Sequence, residues 1–495
     1  MTLEKIIYGS GCTITRGEAG VEITSVCNDS RKVVPGSLFV AVRGFASDGH
    51  DYIATAVEKG ACAIVYEDSE AAERQISLVG EAGKGVAMAA ASSSRHALAI
   101  IAANFYDNPS HKLTLVGITG TNGKTTTVTL LHRMFTALGY NCGLLSTIAN
   151  YVGTKGTEAV NTTSDPITIN SLLNEMVEAG CGYCFMEVSS IGVEQERVAG
   201  LKFKAGIFSN LTHDHLDYHK TFAEYLRCKK LFFDTLPADA FAITNIDDRN
   251  GMVMLQNTKA AAVTYSLRSM ADHTCRIIEQ SFEGMLLKFD GTEAWSCLIG
   301  QHNAYNLLAI YTTAVTLGAD PEEVLVALST LRPAPGRLEN MRGPKDISVI
   351  IDYAHTPDAL ENVLKTLREI APDRELICLF GCGGDRDRTK RPEMGRIAQK
   401  MADRIIITSD NSRTEKTSDI MAEIREGMDI SGKAKSLMIE DRREAIRTAV
   451  MLAGQGATIL LAGKGHETYQ ITGTEKTHFD EKEIVAEIFN DITGL

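Results

Sequence analysis

The sequence predicts an α/β protein with more than one domain, and three observations support that prediction. A glycine-rich loop lies between an apolar β-type run and a helix-like segment within residues 113–131. From residue 349 onward, four apolar β-runs alternate with helical patterns, which is typical of a doubly wound, parallel sheet. The chain has 495 residues, a length for which about two to four domains are expected.

Composition and charge narrow the class of protein. The formal net charge of −13 argues against a nonspecific nucleic-acid binder, which needs a basic surface. The 11 cysteines are scattered along the chain, which favours a reduced protein over a disulfide framework. The first residues lack the apolar segment of a secretory signal, and no uncharged apolar run approaches the roughly 18 residues of a membrane span. We therefore expect a cytoplasmic protein with no nucleic-acid partner and no membrane span.

Residues 1 to about 90 are predicted to form a small α/β unit. Strand-like runs cover 21–25, 37–42 and 61–66, and a helical pattern covers 51–59. Ser30 and Arg31 offer a hydroxyl and a guanidinium suited to an anionic ligand, although a solvated turn has the same composition. An alanine-rich helical pattern over 87–105 leads into the next unit.

The glycine-rich loop predicts a phosphate-binding site. Gly120 and Gly123 precede Lys124 and Thr125 at a junction between strand and helix. Backbone N–H groups in such a loop surround phosphate oxygens, the lysine adds a positive charge, and the threonine hydroxyl can bind magnesium. The spacing differs from G-x-x-x-x-G-K-[ST], because Ile118 stands where the first glycine is expected. A glycine-rich turn before an ordinary helix is the alternative.

Further stretches of this unit also carry polar groups. Residues 161–166 (NTTSDP) precede a helical pattern, where they could bind an anion or cap the helix. Glu187 ends an apolar strand-like run, as does the acidic residue that holds magnesium opposite a phosphate loop. Residues 209–219 contain two carboxylates and three histidines, and His215 is the candidate second metal ligand. Lys229 and Lys230 follow on a predicted helix, and the pattern does not distinguish between them.

The four β-runs of the last third each end in a polar or glycine-rich word, that is, a short sequence motif. These words are 352–355, 381–386, 409–413 and 463–467. Because ligands bind at the carboxyl ends of strands in such sheets, we expect all four words to share one edge. Asn303, Asn306 and Arg337, which come earlier, could contact a nucleotide.

Taken together, these motifs resemble the Mur ligases of peptidoglycan synthesis. The motifs GTNGKTT, EVSS, NLTHDHLDYH, HNAYN, PGRLE, DYAHTP and GKGHE occur in this order, from residue 120 to residue 467. Within that family the chain looks like the enzymes that add the third amino acid. The resemblance implies three domains: a UDP-substrate-binding unit at 1–92, a central ATPase at 93–335 and a Rossmann-like domain at 336–495.

The resemblance also implies a reaction and its partners. ATP would phosphorylate the D-glutamate carboxyl of UDP-MurNAc-L-Ala-D-Glu, and the amine of an amino acid would displace the phosphate. Mg²⁺ would assist, and the protein would be a monomer acting on small molecules. A folylpolyglutamate- or cyanophycin-type ligase shares this chemistry, and a nucleotide-binding regulatory protein without ligase activity is the alternative outside the enzymes.

Site residues follow from the resemblance, position by position. Catalysis is assigned to Lys124, Lys229 and His215, and metal binding to Thr125, Glu187, His215 and Lys229 as a carbamate. ATP is assigned to Gly117, Thr119, Gly120, Thr121, Asn122, Gly123, Lys124, Thr125, Thr126, Asn303, Arg337 and Asp352. The UDP-MurNAc-dipeptide is assigned to Ser30, Asn161, Thr162, Thr163, Ser189, Gln195 and Arg197. The incoming amino acid is assigned to Arg386, Asp410, Asn411, Ser412, Arg413, Gly463 and Glu467.

Arg413 decides the expected amino acid. Family members that add meso-diaminopimelate carry Asp-Asn-Pro-Arg, whose arginine binds the distal carboxylate, and this chain has Asp-Asn-Ser-Arg at 410–413. A guanidinium suits a carboxylate, which lysine lacks. We therefore expect meso-diaminopimelate, while Ser412 leaves room for another diaminopimelate isomer, and L-lysine is the remaining alternative. A second departure is Ile191, where relatives commonly have histidine.

Overall fold

Three separate sheets, one after another along the chain, organise the molecule. The computed structural model describes residues 1–44, 47–212 and 216–493. Within these residues the sheets have five, eleven and six strands, and a two-stranded hairpin follows the third. No helix of the described part of the chain is long and apolar enough to cross a membrane. The predicted α/β class is confirmed.

The N-terminal unit is a five-stranded sheet with the order β1-β5-β4-β3-β2. Strands β2 to β5 are parallel, and β1 joins β5 in the antiparallel direction. The elements are α1 (Leu3–Ile6), β1 (Thr13–Arg16), β2 (Ser25–Cys27), β3 (Ser37–Val40), α2 (Ile53–Glu58), β4 (Ala61–Tyr66), α3 (Ser69–Leu78), α4 (Glu81–Lys84), β5 (Ala87–Ala90) and α5 (Ser94–Phe105). Short 3₁₀ helices cover Ser30–Lys32, Gly49–Tyr52 and Pro109–His111.

Two predictions for this unit are wrong. The strand expected at 21–25 begins only at Ser25. The helical pattern expected over 87–105 opens with strand β5, and the helix starts at Ser94. Alanine favours helices when isolated, but residues 87–90 lie between β4 and β1 and pair with both, so tertiary pairing overrides the local preference.

The central unit is built on an eleven-stranded sheet with the order β16-β15-β14-β13-β12-β11-β6-β10-β7-β8-β9. The strands from β14 through β6 to β7 are parallel, and the outer pairs are antiparallel hairpins. Strands and helices alternate as β6 (Thr114–Thr119), α6 (Lys124–Ala137), β7 (Cys142–Leu145), β8 (Ala149–Val152), β9 (Lys155–Glu158), α7 (Pro166–Glu178), β10 (Tyr183–Glu187), α8 (Ser190–Glu194), β11 (Phe203–Phe208), α9 (Leu216–His219), α10 (Phe222–Asp234), β12 (Phe241–Asn245), α11 (Gly251–Met254), β13 (Ala261–Ser266), β14 (His273–Ser281), β15 (Gly284–Phe289), β16 (Thr292–Ser296), α12 (Gln301–Thr316) and α13 (Pro321–Thr330).

The C-terminal unit is a six-stranded sheet with the order β17-β18-β22-β19-β20-β21, parallel except for β17. Its inner strands are buried apolar runs, as expected for a sheet covered on both faces. Its elements are β17 (Glu339–Arg342), a 3₁₀ helix at Pro344–Asp346, β18 (Ser348–Asp352), α14 (Pro357–Ile370), β19 (Leu376–Phe380), α15 (Lys390–Met401), β20 (Arg404–Ile407), α16 (Thr417–Glu426), α17 (Ile430–Ala434), β21 (Ser436–Met438), α18 (Arg442–Leu452), β22 (Thr458–Ala462), β23 (Tyr469–Thr472), β24 (Glu475–His478) and α19 (Glu481–Thr493).

The strand order determines where the predicted site motifs lie in the sheets. In the central sheet β6, which leads into the glycine-rich loop, lies between β10 and β11. In the C-terminal sheet the four strands that end in polar words, β18, β22, β19 and β20, are direct neighbours. All four words therefore lie at one edge, as predicted. The domain boundaries at 92/93 and 335/336 remain a proposal; they fall in the connections after β5 and before β17.

Candidate active site

The glycine-rich loop connects β6 to α6 and has the backbone of a phosphate-binding loop. Gly120 (φ 154°) and Gly123 (φ 89°) adopt conformations that L side chains rarely adopt. Side chains close over both glycines, since a methyl group on Gly120 would overlap with Oγ of Ser209 and one on Gly123 with Oδ1 of Asn306. Gly117 lies inside β6, where a methyl group would come within 2.7 Å of the Phe203 ring. Only glycine fits all three positions.

Two lysines lie against this loop. Nζ of Lys124 donates to the carbonyl oxygens of Gly120 (3.0 Å) and Thr121 (2.8 Å). Nζ of Lys229, a buried residue of α10, donates to Gly120 O from a distance of 2.8 Å and stands 4.5 Å from the centre of the Tyr225 ring. The structure thereby distinguishes Lys229 from Lys230, whose Nζ bonds Asp234 and the carbonyl of Gln256.

Glu187 ends β10, the neighbour of β6, and is fully buried. Its Oε1 accepts a hydrogen bond from the backbone N–H of Thr147 (2.8 Å). None of the described residues forms a hydrogen bond with its Oε2. A buried carboxylate oxygen without a partner is costly, so this atom fits a site that binds a cation. His215, the second predicted metal ligand, lies outside the described residues.

Thr162, Thr163 and Ser189, which are predicted to bind the UDP-substrate, belong to one hydrogen-bond network next to Glu187. Oγ1 of Thr163 donates to the carbonyl of Glu187 (2.9 Å) and accepts from the N–H of Ser189 (3.0 Å). Oγ1 of Thr162 accepts from the hydroxyl of Thr147 (3.1 Å), the residue that also bonds Glu187. Asn161 is exposed on the same loop.

Gln195 and Arg197 extend this network towards the N-terminal unit. Arg197 donates to Oε1 of Gln195 (2.7 Å) and to the carbonyl of Thr163 (2.6 Å), and burial lowers the pKa of its guanidinium. Glu196, between them, accepts from the Ser93 hydroxyl (3.0 Å) and pairs with His96 (3.2 Å) of the preceding unit. Ser30 lies in that unit, at the start of its 3₁₀ helix. The predicted residues therefore lie on both sides of the proposed domain boundary.

A cavity of about 350 Å³ lies between the glycine-rich loop and the C-terminal unit. Six of the residues predicted to bind ATP line it: Asn122, Gly123, Thr126, Asn303, Arg337 and Asp352. His302 also lines the cavity, and burial, followed by the charge of Arg337, lowers its pKa to about 4. The predicted nucleotide residues from four separate motifs therefore meet at one cavity.

Asp352 has a second function in the structure. Its Oδ2 accepts from the N–H of Leu338 (2.7 Å) and its Oδ1 from the N–H of Ala354 (2.8 Å). Burial raises the pKa of Asp352, although Arg337 and the two backbone N–H groups oppose that rise. Leu338 has a positive φ of 47° in the segment that enters the C-terminal unit, so Asp352 holds this connection.

Asp358 joins the two units at the loop. Its Oδ2 accepts a hydrogen bond from Nδ2 of Asn122 (2.8 Å) and a longer one from Oγ1 of Thr212 (3.4 Å). Burial raises the pKa of Asp358. The sequence analysis missed this residue, because an acid at the start of an amphipathic helix has an ordinary local explanation.

The predicted amino-acid pocket is assembled from the ends of β19, β20 and β22. Arg413 has a positive φ of 49°, and its Nη1 donates to the carbonyls of Gly384 (2.9 Å) and Asn411 (3.3 Å). Among the described residues, its Nε and Nη2 make no hydrogen bond. A methyl group on Gly383 would lie 3.1 Å from Nη1 of Arg413 and 3.8 Å from Cγ of the exposed Arg386. Both arginines therefore lie beside the same glycine.

Asn411 and Glu467 meet on the other side of the pocket. Nδ2 of Asn411 donates to Oε2 of Glu467 (2.9 Å), and Oε1 of Glu467 has no hydrogen bond within the part of the chain that is described. Burial raises the pKa of Glu467, partly offset by Lys464. Gly463 (φ 115°) passes so close to Asp410 that a methyl group would lie 2.8 Å from Oδ2. Ser412 is buried beside Gly384.

The pocket pairs an open guanidinium edge with an open carboxylate oxygen. Such a pair can bind one carboxylate and one ammonium group together. The sequence analysis did not select Lys464, which is fully buried among these residues, although it lies within a predicted word.

Family models match most of the chain. Residues 22–106 match the Mur ligase family catalytic domain, 118–314 the Mur ligase middle domain, and 336–465 the Mur ligase glutamate ligase domain.

Full-length relatives are similar over the whole chain. A UDP-N-acetylmuramoyl-L-alanyl-D-glutamate--2,6-diaminopimelate ligase of Cytophaga hutchinsonii is 50% identical over 492 residues, which is 99% of this chain and 100% of the relative. Proteins of the same name from Bacteroides fragilis and Clostridium acetobutylicum are 50% and 41% identical, and each alignment covers at least 99% of both chains.

Solved structures agree with the sequence relatives. A structure of UDP-N-acetylmuramoyl-L-alanyl-D-glutamate--2,6-diaminopimelate ligase superposes with a TM-score of 0.69 at 29% identity, covering 100% of this chain and 99% of the other. A folylpolyglutamate synthase of Mycobacterium tuberculosis has a TM-score of 0.59 at 18% identity, covering 73% of this chain and 90% of the other, which shows a shared fold alone. With three domain models matched and half of its residues identical to full-length relatives, the chain belongs to the Mur ligase family.

Proposed function

We propose that the chain joins meso-diaminopimelate to the D-glutamate carboxyl of UDP-MurNAc-L-Ala-D-Glu, with ATP as the energy source, in peptidoglycan precursor synthesis. The observation that carries the choice of amino acid is the Arg413 guanidinium, whose Nη1 bonds the carbonyl of Asn411, the residue whose amide bonds Glu467. Relatives that are named for 2,6-diaminopimelate and are about half identical to the chain support it. The chain is an ATP-dependent acid–amino-acid ligase that forms ADP.

The chemistry explains why a nucleotide is needed. A free carboxylate offers an attacking amine no leaving group, so the γ-phosphoryl group of ATP is first transferred to one carboxyl oxygen. The N–H groups of the glycine-rich loop and the charge of Lys124 hold the phosphates. Thr162, Thr163 and Arg197 are proposed to hold the substrate beside Glu187; their hydrogen bonds to Thr147, to the carbonyl of Glu187 and to the carbonyl of Thr163 support this.

The buried groups at this point fit a magnesium ion. Oε2 of Glu187 is buried and accepts no hydrogen bond from any residue that the structure describes. Thr125, whose hydroxyl oxygen suits a hard cation, is buried at the start of α6. Bound Mg²⁺ would offset the negative charge of the transferring phosphoryl group. Glu187 and Thr125 would hold the ion, and His215 is proposed as a further ligand.

Lys229 is proposed to carry a carbamate. Its neutral amine would attack CO₂, a C–N bond would form and a proton would be released, which converts a cation into an anion. The 2.8 Å contact with Gly120 supports this, because it places the side chain against the phosphate loop, where a lysine turned into an anion could bind metal.

The C-terminal unit is proposed to bind the diamino acid whose amino group attacks. Arg413 would bind the distal carboxylate of diaminopimelate, and Glu467 would accept from the distal ammonium. The other amino group would attack the acyl phosphate: a C–N bond forms, the bond from carbon to the phosphate oxygen breaks, and a proton leaves the nitrogen. The product is an amide, and phosphate is released.

A competition assay tests this function. Purified protein receives UDP-MurNAc-L-Ala-D-Glu, ATP and magnesium, together with equal amounts of meso-diaminopimelate, LL-diaminopimelate and L-lysine. We expect mass spectrometry to find mainly the meso-diaminopimelate product. Preferential addition of lysine would refute the assignment of Arg413, and ATP hydrolysis that is indifferent to both co-substrates would refute a ligase. A monomeric state and a cytoplasmic location are also proposed; sedimentation and cell fractionation test them.

A further inference from the structure

We propose that Lys464 is a positioning residue for the incoming diamino acid: its buried ammonium holds Asp410, Asn411 and Glu467 in the arrangement that receives the substrate. This inference rests on the proposed function, because it assigns a role within the same pocket. Lys464 follows Gly463 after β22, whereas Asp410 and Asn411 follow β20. The lysine therefore connects the loops of two different strands.

The contacts of Lys464 all converge on the pocket. Its side chain has no exposed surface, and Nζ lies 3.4 Å from Oε2 of Glu467 and 3.7 Å from Oδ1 of Asp410. Nζ also donates to Oδ1 of Asn411 at 3.3 Å. The rings of Tyr469 and Phe479, with centres 5.9 and 5.8 Å away, complete its surroundings.

The ammonium brings two carboxylates together that would otherwise repel each other. Both are strongly buried, and a buried charge without a partner is unfavourable. Burial alone would raise the pKa of Asp410, but Lys464, Arg442, the N–H of Asn411 and His355 together outweigh it, and the pKa is lowered. Arg442 itself donates hydrogen bonds to Glu481 and to the carbonyls of Ser409 and Ala462. Lys464 is therefore the cation that bridges Asp410 to Glu467.

The same contacts determine which oxygen of Glu467 faces the substrate. Oε2 accepts from both Lys464 and Asn411. Oε1 is consequently the oxygen left to accept from the substrate ammonium. Without Lys464, Glu467 would lose one of its two fixed contacts, and the geometry of the ammonium site would loosen.

Steady-state kinetics of Lys464→Met test the proposal. We expect KM for diaminopimelate to rise about tenfold or more, because one partner of a buried charge network is lost. KM for ATP, whose cavity lies elsewhere, should change by less than about twofold. Lys464→Arg, which keeps the charge, should recover part of the affinity. Lys476→Met is the matched control, since that exposed lysine stands 3.9 Å from the centre of the Tyr469 ring.

Each outcome bears on the proposal. Equal increases in KM for all three substrates, or an unchanged KM for diaminopimelate in a folded variant, would overturn it. Thermal melting establishes that the variants are folded. If Lys464→Met does not fold, Lys464→Gln answers the same question, because its amide can still donate to Glu467 but carries no charge. A wild-type protein that does not add diaminopimelate would refute the proposed function, whereas an active wild type with an unaffected Lys464 variant would refute this inference alone.

Discussion

Replacing Gly123 with alanine should weaken ATP binding because it displaces a neighbouring side chain. A second glycine of the chain, Gly139, provides the control for backbone strain. Gly123 and Gly139 flank helix α6 and have nearly the same φ, 89° and 91°. A methyl group on Gly139 would meet nothing within 4 Å, whereas one on Gly123 would overlap with Oδ1 of Asn306. The pair therefore separates backbone strain from displacement of the nucleotide site.

The magnitudes follow from these contacts. An alanine in left-handed backbone costs about 1–2 kcal/mol, so both variants should lose that amount of unfolding free energy. In Gly123→Ala, the displaced Asn306 also loses its 3.1 Å hydrogen bond to Asn303, which adds about 0.5–1.5 kcal/mol. Because both asparagines line the cavity, we expect ATP affinity to fall about tenfold, which corresponds to ~1.4 kcal/mol.

Urea unfolding and isothermal titration calorimetry measure the two effects. Gly139→Ala should be destabilised and should bind ATP as the wild type does. If the two variants lose the same amount of ATP affinity, or if Gly123→Ala loses none, then Asn306 does not link the loop to the nucleotide cavity and the reasoning fails.

Three other substitutions give separate predictions. Glu187→Gln keeps the shape and an acceptor for the Thr147 N–H but removes the charge, so kcat for phosphate release should fall about a hundredfold without a change in melting temperature; full activity would contradict a metal-binding role. Arg413→Ala should weaken binding of diaminopimelate by about ten- to a hundredfold in calorimetry and leave ATP binding intact; equal losses for both ligands would make the arginine structural. Hydrogen bonds from Arg391 lower the pKa of Glu415 to about 2, from 4.5, so the stability that this pair contributes is present above pH 4.5 and is lost as the pH falls towards 2. The melting temperature of the wild type should therefore exceed that of Glu415→Gln clearly at pH 6 and much less at pH 3, and a constant difference would refute the linkage.

The parts of the site that were predictable depend on local sequence or on strand order. Gly120, Gly123 and Lys124 lie within five residues, so their chemistry is visible in the sequence. The common location of the four C-terminal motifs could be predicted from the rule that the carboxyl ends of parallel strands lie at the same edge of a sheet.

The parts that escaped prediction depend on contacts between distant segments. Asp358 and Asn122 are 236 residues apart, and only the packing of two domains brings them together. In the sequence, Lys464 is a lysine between two glycines, and nothing local distinguishes it. Its contacts with Asp410 and Glu467 arise only when the loops after β20 and β22 come together. The alanines of β5 were misassigned because pairing with two strands outweighs helix propensity.

The hydrogen bond between Asn122 and Asp358 makes the cavity that is proposed to bind the nucleotide a joint property of two domains. Its walls exist together only when the C-terminal domain occupies the position seen here. Nucleotide affinity and domain orientation are then thermodynamically coupled, and the coupling is reciprocal: a diamino acid that favours this orientation tightens ATP binding by the same factor as ATP tightens its own. A small molecule that fills the cavity would contact both domains and would stabilise this one orientation of the C-terminal domain.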